Sequence, residues 1–199
     1  MKRFVITGHK AVADGSFKLD DLGGGGGRVD ILCRCVNSAF VLSHNIRLDV
    51  EVYLVMEGGD DAPKTVRIDG STVRYLNPDE RSTAALIRNA CLKKLPAGRE
   101  LVSSPGVSIS RKGFADVIAD LAGKGTFVYL KEDGTDVREF DFPENPIFIL
   151  GDNQDLTEEE EKVLLAHSPS TICLGPVSLH ADHCIILAHS EMDRRAGGA

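Results

Sequence analysis

The chain has 199 residues, of which 42% are hydrophobic, 27% are charged and 6% are aromatic. These values are typical of a globular protein that buries a core, and they exclude disordered, collagen-like and coiled-coil classes. The formal net charge of −7 argues against wholesale nonspecific nucleic-acid binding, which requires a basic surface. RNA binding would need basic residues concentrated in one patch or pooled between subunits.

No apolar run approaches the roughly 18 residues that a membrane-spanning helix requires, and no long apolar core follows the basic residues at the start. We therefore expect neither a membrane helix nor a secretory signal. The five cysteines are odd in number and form no small-scaffold framework, which favours reduced thiols in a cytoplasmic protein.

The first third of the chain alternates strand and helix patterns. A short strand is predicted at Phe4–Ile6, and residues 14–27 form a polar loop that ends in the glycines 23–27. A helix follows, because apolar and small residues recur at three- and four-residue spacing: Val29, Leu32, Val36, Ala39, Phe40 and Ser43. Residues 49–56 read as a strand that enters a core.

The middle third predicts a hairpin and two helices. Residues 64–68 and 71–75 flank Asp69-Gly70, which is a strong hairpin signal. Asn77 is the expected cap of the next helix, with Pro78 at its first position and Glu80 three residues after the cap. A further helix is predicted over residues 111–122.

The last third indicates an α/β fold. Continuous apolar runs at residues 126–130, 147–150 and 171–174 predict parallel strands that are covered on both faces. A helix should begin at Thr157, where Thr157 and Glu160 form a capping box. A final helix should begin near His183 and carry Ile186 and Leu187.

The loops after these three strands are the candidate ligand site, because ligands of open α/β sheets bind beyond the carboxyl ends of the strands. One loop follows Leu130, a second begins at Gly151, and a third begins at Gly175 after Leu174. Glycine lets a backbone pass close to a ligand. We expect the three loops to converge.

Several other functional motifs are absent from the sequence. The glycines 23–27 lack the Lys-Ser/Thr ending of a P-loop, and neither a dinucleotide-binding fingerprint nor a nucleophile elbow occurs. His180, His183 and Cys184 match no standard zinc spacing, and Cys33 and Cys35 are better explained as buried cysteines, so we expect no metal.

Six segments together resemble one family, the archaeal tRNA pseudouridine(54) N1-methyltransferases of the SPOUT class. The segments span nearly the whole chain in order: residues 32–37 (LCRCVN), 42–44 (LSH), 77–81 (NPDER), 104–107 (SPGV), 145–148 (NPIF) and 179–184 (LHADHC). Two departures stand out. Many relatives have Gly-Asp-His where this chain has Gly151-Asp152-Asn153, and the five glycines replace a common Pro-Gly turn after Asp21.

The resemblance implies one SPOUT domain over residues 1–199, with a mostly parallel sheet, helices on both faces and a deep trefoil knot at about residues 126–192. It also implies a homodimer and S-adenosylmethionine as the cofactor, bound in the knot. By motif position the cofactor-binding residues would be Leu130, Gly151, Leu174, Gly175, Pro176, Val177, Ser178, Leu179 and Cys184.

The implied reaction is methylation of N1 of pseudouridine-54 in the tRNA T-loop, which requires removal of the N1 proton. By motif position Asp21 would accept or orient this proton, with Asp20 as the alternative. Cys184 would lie against the cofactor or the target base. The basic residues expected to contact RNA phosphates are Arg28, Arg34, Arg81, Arg111 and Lys112.

Two alternatives to this function stay open. One is a ribosomal RNA pseudouridine methyltransferase of the same superfamily, although the low basic content favours a compact tRNA target. The other is a non-catalytic RNA-binding or assembly protein on the same fold, which the intact glycine loops disfavour.

Overall fold

The fold was analysed in a computed structural model that describes residues 1–96 and 98–197. Its eight strands are β1 (Lys2–Val12), β2 (Val50–Gly58), β3 (Lys64–Asp69), β4 (Leu101–Ser104), β5 (Val107–Ser110), β6 (Thr126–Asp136), β7 (Pro146–Gly151) and β8 (Ser170–Cys173). Its five helices are α1 (Val29–Phe40), α2 (Glu80–Cys91), α3 (Phe114–Leu121), α4 (Glu158–Leu165) and α5 (Ala181–Gly197).

All eight strands form one sheet in the order β4-β5-β3-β2-β1-β7-β6-β8. Five neighbouring strands pair in parallel, in the order β2, β1, β7, β6 and β8. The three strands at the other edge pair antiparallel. The predicted mostly parallel α/β sheet is confirmed, and the carboxyl ends of β1, β7, β6 and β8 share one edge.

Apolar side chains of the sheet are covered on both faces, as the continuous apolar strands require. One cluster packs α1, α2 and α5 against side chains such as Phe4, Ile6 and Phe148. The other packs α3 and α4 against the alternate residues of the same strands, such as Val5 and Ile149. The expected helices on both faces are confirmed.

The predicted start of α4 is also confirmed. The Thr157 hydroxyl accepts a hydrogen bond from the backbone N–H of Glu160 at 3.3 Å. The Glu160 carboxylate in turn accepts from the backbone N–H of Thr157 at 2.7 Å. This capping box places α4 directly behind the loop that leaves β7.

The predicted hairpin around Asp69-Gly70 is wrong. β3 ends at Asp69 and pairs with β2 and β5, whereas residues 71–75 form no strand. The Asp69 carboxylate accepts from the backbone N–H of Ser71 at 2.9 Å, which closes a local turn. A side chain at Gly70 would lie 2.2 Å from the carbonyl oxygen of Arg47, so this glycine serves a close backbone contact as well as the turn.

Two predicted helix starts are displaced. Asp79, and not Asn77, caps α2, because its carboxylate accepts from the backbone N–H of Ser82 at 2.8 Å. α3 begins at Phe114, so Arg111 and Lys112 precede the helix instead of opening it. In both places the helix begins two or three residues beyond the first plausible start.

The ends of the first and last helices also differ from the prediction. α1 stops at Phe40, before Ser43. α5 begins at Ala181, and its Ile186 and Leu187 side chains are exposed, whereas Ile185 is buried. α5 has 17 residues; within residues 1–96 and 98–197, neither it nor any other helix combines the length and apolarity needed to cross a membrane.

Candidate functional site

The three segments that the sequence singled out meet at one cavity of about 350 Å³. It lies at the carboxyl ends of β7 and β8 and beside residues 130–132 of β6, at the edge where open α/β sheets bind ligands. Its volume falls in the usual range for small-molecule sites, about 300–1,000 Å³. The expected convergence is confirmed for the loops after β7 and β8. The expected loop after Leu130 is wrong, because β6 continues to Asp136, with its pairing to β8 interrupted between Leu130 and Thr135.

Most of the residues expected to bind the cofactor border this cavity. They are Leu130, Gly151, Leu174, Gly175, Val177, Ser178, Leu179 and Cys184. Pro176 does not border it. A hydrogen bond of 2.7 Å from the Ser178 hydroxyl to the Glu132 carboxylate joins the loop after β8 to the middle of β6. This bond ties two walls of the cavity together.

The loop after β7 is a tight turn that only glycine can begin. A Cβ at Gly151 would lie 1.9 Å from the carbonyl oxygen of Gln154. The Asp152 carboxylate accepts from the backbone N–H of Gln154 at 3.1 Å, which closes the turn. Asn153, at the position where many relatives carry histidine, is exposed and borders the cavity.

Cys184 lies in the first turn of α5 and is partly buried. Burial raises the pKa of its thiol to about 11, so the thiol is neutral at physiological pH. Its Sγ lies 4.0 Å from the carbonyl oxygen of Leu179. A neutral thiol packed in the wall of the cavity suits contact with a ligand better than nucleophilic attack.

Asp21 lies outside this cavity and organises the glycine loop. Its two carboxylate oxygens accept from the backbone N–H groups of Gly24 at 3.1 Å and Gly25 at 2.8 Å. A Cβ at Gly26 would lie 2.5 Å from the carbonyl oxygen of Leu22, and one at Gly27 would lie 1.8 Å from that of Lys10, so the backbone itself requires glycine at these two positions. Asp20 points to a different place, because it borders a second cavity of about 410 Å³.

The second cavity also brings three basic residues to the loop that precedes Asp21: Lys18, Arg81 and Arg88. Arg81 is exposed, as an RNA contact requires. The Nε atom of Arg88 is buried and finds no hydrogen-bond partner within the described part of the chain. Sequence reasoning missed Lys18 and Arg88, since isolated basic residues carry no motif.

The other basic residues expected at RNA are held by carboxylates. Arg28 caps α1 in a left-handed conformation, borders the first cavity and makes two hydrogen bonds of 3.0 and 3.1 Å to Asp30. Arg34 also binds Asp30, at 3.0 Å. Arg111 is paired with an aspartate at 2.7 Å, and Lys112 is likewise paired with a carboxylate.

A buried ion cluster beside the first cavity was not foreseen from the sequence. His9, on β1, lies with its Nε2 2.9 Å from Glu160 Oε2 and its Nδ1 3.5 Å from Asp152 Oδ1. Asp152 and Glu160 raise the pKa of His9 to about 10, so the imidazole is charged at neutral pH. His9 is more than 140 positions away from Asp152 and Glu160 in the sequence. No local sequence pattern therefore joins the three residues.

The weak metal signals do not assemble into a metal site. The rings of His180 and His183 lie 5.5 Å apart, and Cys33 and Cys35 are both fully buried. Over residues 1–96 and 98–197, no group of three or more histidine, cysteine, aspartate or glutamate side chains is arranged to hold a metal ion.

Comparisons with known proteins agree with this geometry. Residues 1–196 match the family described as "Putative SAM-dependent RNA methyltransferase". A protein of Methanococcoides burtonii named tRNA (pseudouridine(54)-N(1))-methyltransferase is 48% identical over 100% of this chain and 98% of its own. One of the same name from Haloferax volcanii is 52% identical over 97% and 96% of the two chains.

The fold is similar to that of a solved structure that holds S-adenosylhomocysteine. The crystal structure of Archaeoglobus fulgidus Nep1 bound to S-adenosylhomocysteine has a TM-score of 0.65, covers 98% of both chains and is 16% identical. That likeness concerns the fold, whereas the full-length relatives carry the family assignment. The chain therefore belongs to the SAM-dependent RNA methyltransferase family that includes the archaeal tRNA (pseudouridine(54)-N(1))-methyltransferases.

Proposed function

We propose that this protein transfers the methyl group of S-adenosylmethionine to N1 of pseudouridine-54 in the tRNA T-loop. The observation that carries the proposal is the cavity at the ends of β7 and β8 and beside β6, in a chain about half identical to full-length relatives of that name. Two features of the cavity suit the cofactor. A Cβ at Gly151, which borders the cavity, would clash with the loop after β7. Asp152, which also borders it, has a buried carboxylate oxygen with no partner within residues 1–96 and 98–197.

The cofactor would be held by the three loops and by the first turn of α5. The residues in these roles are Leu130, Gly151, the run 174–179 and Cys184. Bound there, the cofactor supplies an electrophilic methyl group. The chain aligns N1 with that group, shields the reacting atoms from water and accepts the N1 proton.

The proton acceptor we propose is Asp21, with Asp20 as the alternative. Pseudouridine N1 must lose its proton as it gains the methyl group, because its lone pair is conjugated with the ring. Asp21 lies outside the cavity of its own chain, held by glycine N–H groups. We therefore propose that the functional unit is a homodimer, in which the glycine loop serves a site formed near the interface.

The dimer proposal rests on the free face of α5. Ile186 is 49% exposed and Leu187 is 37% exposed, on the helix whose first turn borders the cavity. These adjacent apolar side chains are available for contact with a second copy of the chain. We also propose that residues 1–199 form one SPOUT domain with a trefoil knot at about residues 126–192, and that the enzyme acts in the cytoplasm, where tRNA is modified.

For the RNA we propose contacts through Arg28, Arg34, Arg81, Arg111 and Lys112. Arg81 is the strongest of these, because it borders the basic second cavity beside the loop of Asp20 and Asp21. Pairing of the same basic surface in a dimer would concentrate positive charge in a chain whose net charge is −7. The target base must leave its stack before it can reach the cavity.

The deciding experiment incubates purified protein with labelled S-adenosylmethionine and T-loop RNA that carries either uridine or pseudouridine at position 54. We expect label only in the pseudouridine RNA, as N1-methylpseudouridine by mass spectrometry. Transfer to a pseudouridine-containing ribosomal RNA hairpin, but not to the T-loop, would assign the protein to ribosomal RNA. Cofactor-independent RNA binding without transfer would identify a non-catalytic binding protein.

A further inference from the structure

We propose that Asp152 binds a hydrogen-bond donor of the cofactor and that His9 is the positioning residue whose positive charge holds this carboxylate in place. The donor belongs to the cofactor's ribose hydroxyls or to its ammonium group. The inference rests on the proposed cofactor and adds two residues to its site. Its starting point is the buried ion cluster of His9, Asp152 and Glu160.

Sheet register brings His9 to the cavity. On β1, Thr7 pairs with Gly151, the last residue of β7. β1 therefore continues past the end of its neighbour, and His9 lies beside the turn that Asp152 begins. Glu160 comes from the first turn of α4, which packs behind the same turn.

The side chains of this cluster are almost completely buried. The exposed fractions of the side chains are 11% for His9, 1% for Asp152 and 9% for Glu160. Glu160 Oε2 accepts from His9 Nε2 at 2.9 Å and from the Thr157 hydroxyl at 2.9 Å. Asp152 Oδ1 accepts from the backbone N–H of Gln154 and faces His9 Nδ1.

Three buried atoms of the cluster have no hydrogen-bond partner within residues 1–96 and 98–197: His9 Nδ1, Glu160 Oε1 and Asp152 Oδ2. Of these three residues, Asp152 is the one that borders the ligand cavity. A buried carboxylate oxygen without a donor is costly, and such an atom at the border of a ligand cavity indicates where a ligand group binds. Carboxylates at the ends of parallel strands bind ribose hydroxyls in other nucleotide sites.

The charges around the cluster explain why a histidine is needed. Glu160 on α4 and Glu57 on β2 add negative charge around His9, and Arg28 at the start of α1 is a further cation that interacts with Asp152. Burial, together with Glu160, raises the pKa of Glu57. Without the His9 imidazolium, the buried Asp152 and Glu160 carboxylates would lose the cation that contacts both of them, which favours uptake of a proton by this group of carboxylates as the pH falls.

A purely structural role makes a different prediction. If His9 only fastens α4 to β1 through Glu160, its removal lowers the thermal stability but leaves the pH dependence of cofactor affinity unchanged. If the charge of His9 keeps the neighbouring carboxylates ionised, removal of His9 makes the cofactor affinity fall as the pH falls. The two roles are thus separated by a binding measurement that does not involve methyl transfer.

The first part of the test is calorimetric titration of the full chain with S-adenosylmethionine and with 5′-methylthioadenosine, which keeps the ribose and lacks the ammonium group. We expect Asp152→Asn to weaken S-adenosylmethionine binding by about tenfold or more, the usual effect of losing a hydrogen bond to a charged group. A matching loss for 5′-methylthioadenosine assigns the ribose; a loss for S-adenosylmethionine alone assigns the ammonium group. Unchanged affinity for both ligands overturns the proposal.

The second part measures the ratio of variant to wild-type affinity for S-adenosylmethionine at pH 8 and pH 6, which cancels titration of the ligand itself. We expect His9→Gln to lose about a further tenfold at pH 6. His9→Lys, which restores a cation, should recover most of this loss. His167→Gln is the matched control, because that histidine is exposed and packs only its ring edge against Phe127.

Thermal melts accompany each titration. A pH-independent affinity ratio for folded His9→Gln overturns the role of His9, and if that variant does not fold, Asp152→Asn and His9→Lys decide the question in the same way. Absence of any S-adenosylmethionine binding by the wild-type protein would instead refute the proposed function. The two failures are therefore distinguishable.

Discussion

His189 should make the protein lose stability in mild acid. It lies on α5, is 2% exposed and hydrogen-bonds through Nε2 to the carbonyl oxygen of Ala39 on α1 at 3.1 Å. Its ring lies 5.0 Å from that of Phe4. Burial, helped by Arg47 and Lys2, lowers the pKa of His189 from 6.5 to about 4. This hydrogen bond joins α5, whose first turn borders the cavity, to α1.

The direction of the effect follows from proton linkage. Between pH 6.5 and pH 4 the unfolded chain protonates this histidine and the folded chain does not, so the free energy of unfolding falls as the pH falls. The two pKa values differ by about 2.5 units. At about 1.36 kcal/mol per unit, the loss near pH 4 is at most about 3 kcal/mol, and it is absent at pH 7.

The assay is urea unfolding at pH 7, 5.5 and 4.5, followed by circular dichroism. His189→Gln keeps an N–H donor for Ala39 and cannot titrate, so its stability should fall less with acid than that of the wild type. His167→Gln, at an exposed histidine, should follow the wild-type curve. If wild type and His189→Gln lose the same free energy between pH 7 and 4.5, the burial argument is refuted.

Four further predictions concern the site. Asp21→Asn should reduce single-turnover methylation by roughly 10²–10⁴-fold, with partial recovery at higher pH and little change in cofactor affinity; wild-type turnover at neutral pH would leave Asp20 as the candidate. Cys184→Ser should weaken cofactor binding in calorimetry while the pH profile of the rate keeps its shape, and a changed profile would argue for proton transfer at the thiol. At Gly175 an added Cβ meets no protein atom within 4 Å, so Gly175→Val should reduce cofactor affinity far more than the melting temperature; unchanged affinity in the folded variant would remove this loop from the site. Sedimentation at micromolar concentration should detect a dimer, and a monomer there would contradict the proposed shared site.

Local patterns in the sequence were enough to predict most elements and the place of the site. The apolar runs at residues 126–130, 147–150 and 171–174 became parallel strands because continuous apolar strands must be covered on both faces. The capping box of Thr157 and Glu160 formed as predicted, because its two hydrogen bonds lie within one turn of helix. The loops after β7 and β8 converge because neighbouring parallel strands end at the same edge of the sheet.

Other details depended on contacts between distant segments. Asp69-Gly70 has the local chemistry of a hairpin, but the strand after it is not residues 71–75, because β5 takes the place beside β3. Gly70 is instead required by the carbonyl group of Arg47. Local sequence patterns do not determine which strands lie next to each other in the sheet.

The sequence by itself determined the fold class, the three segments that meet at the cavity and the family resemblance, since these depend on short-range patterns and ordered motifs. Only the tertiary structure brought His9 to Asp152 and Glu160, across more than 140 residues, because that meeting requires β1 to extend past the end of β7. It likewise decided that Asp21 lies away from the cavity of its own chain. Charge and burial at a site are properties of the packed sheet, and residue identities alone do not specify them.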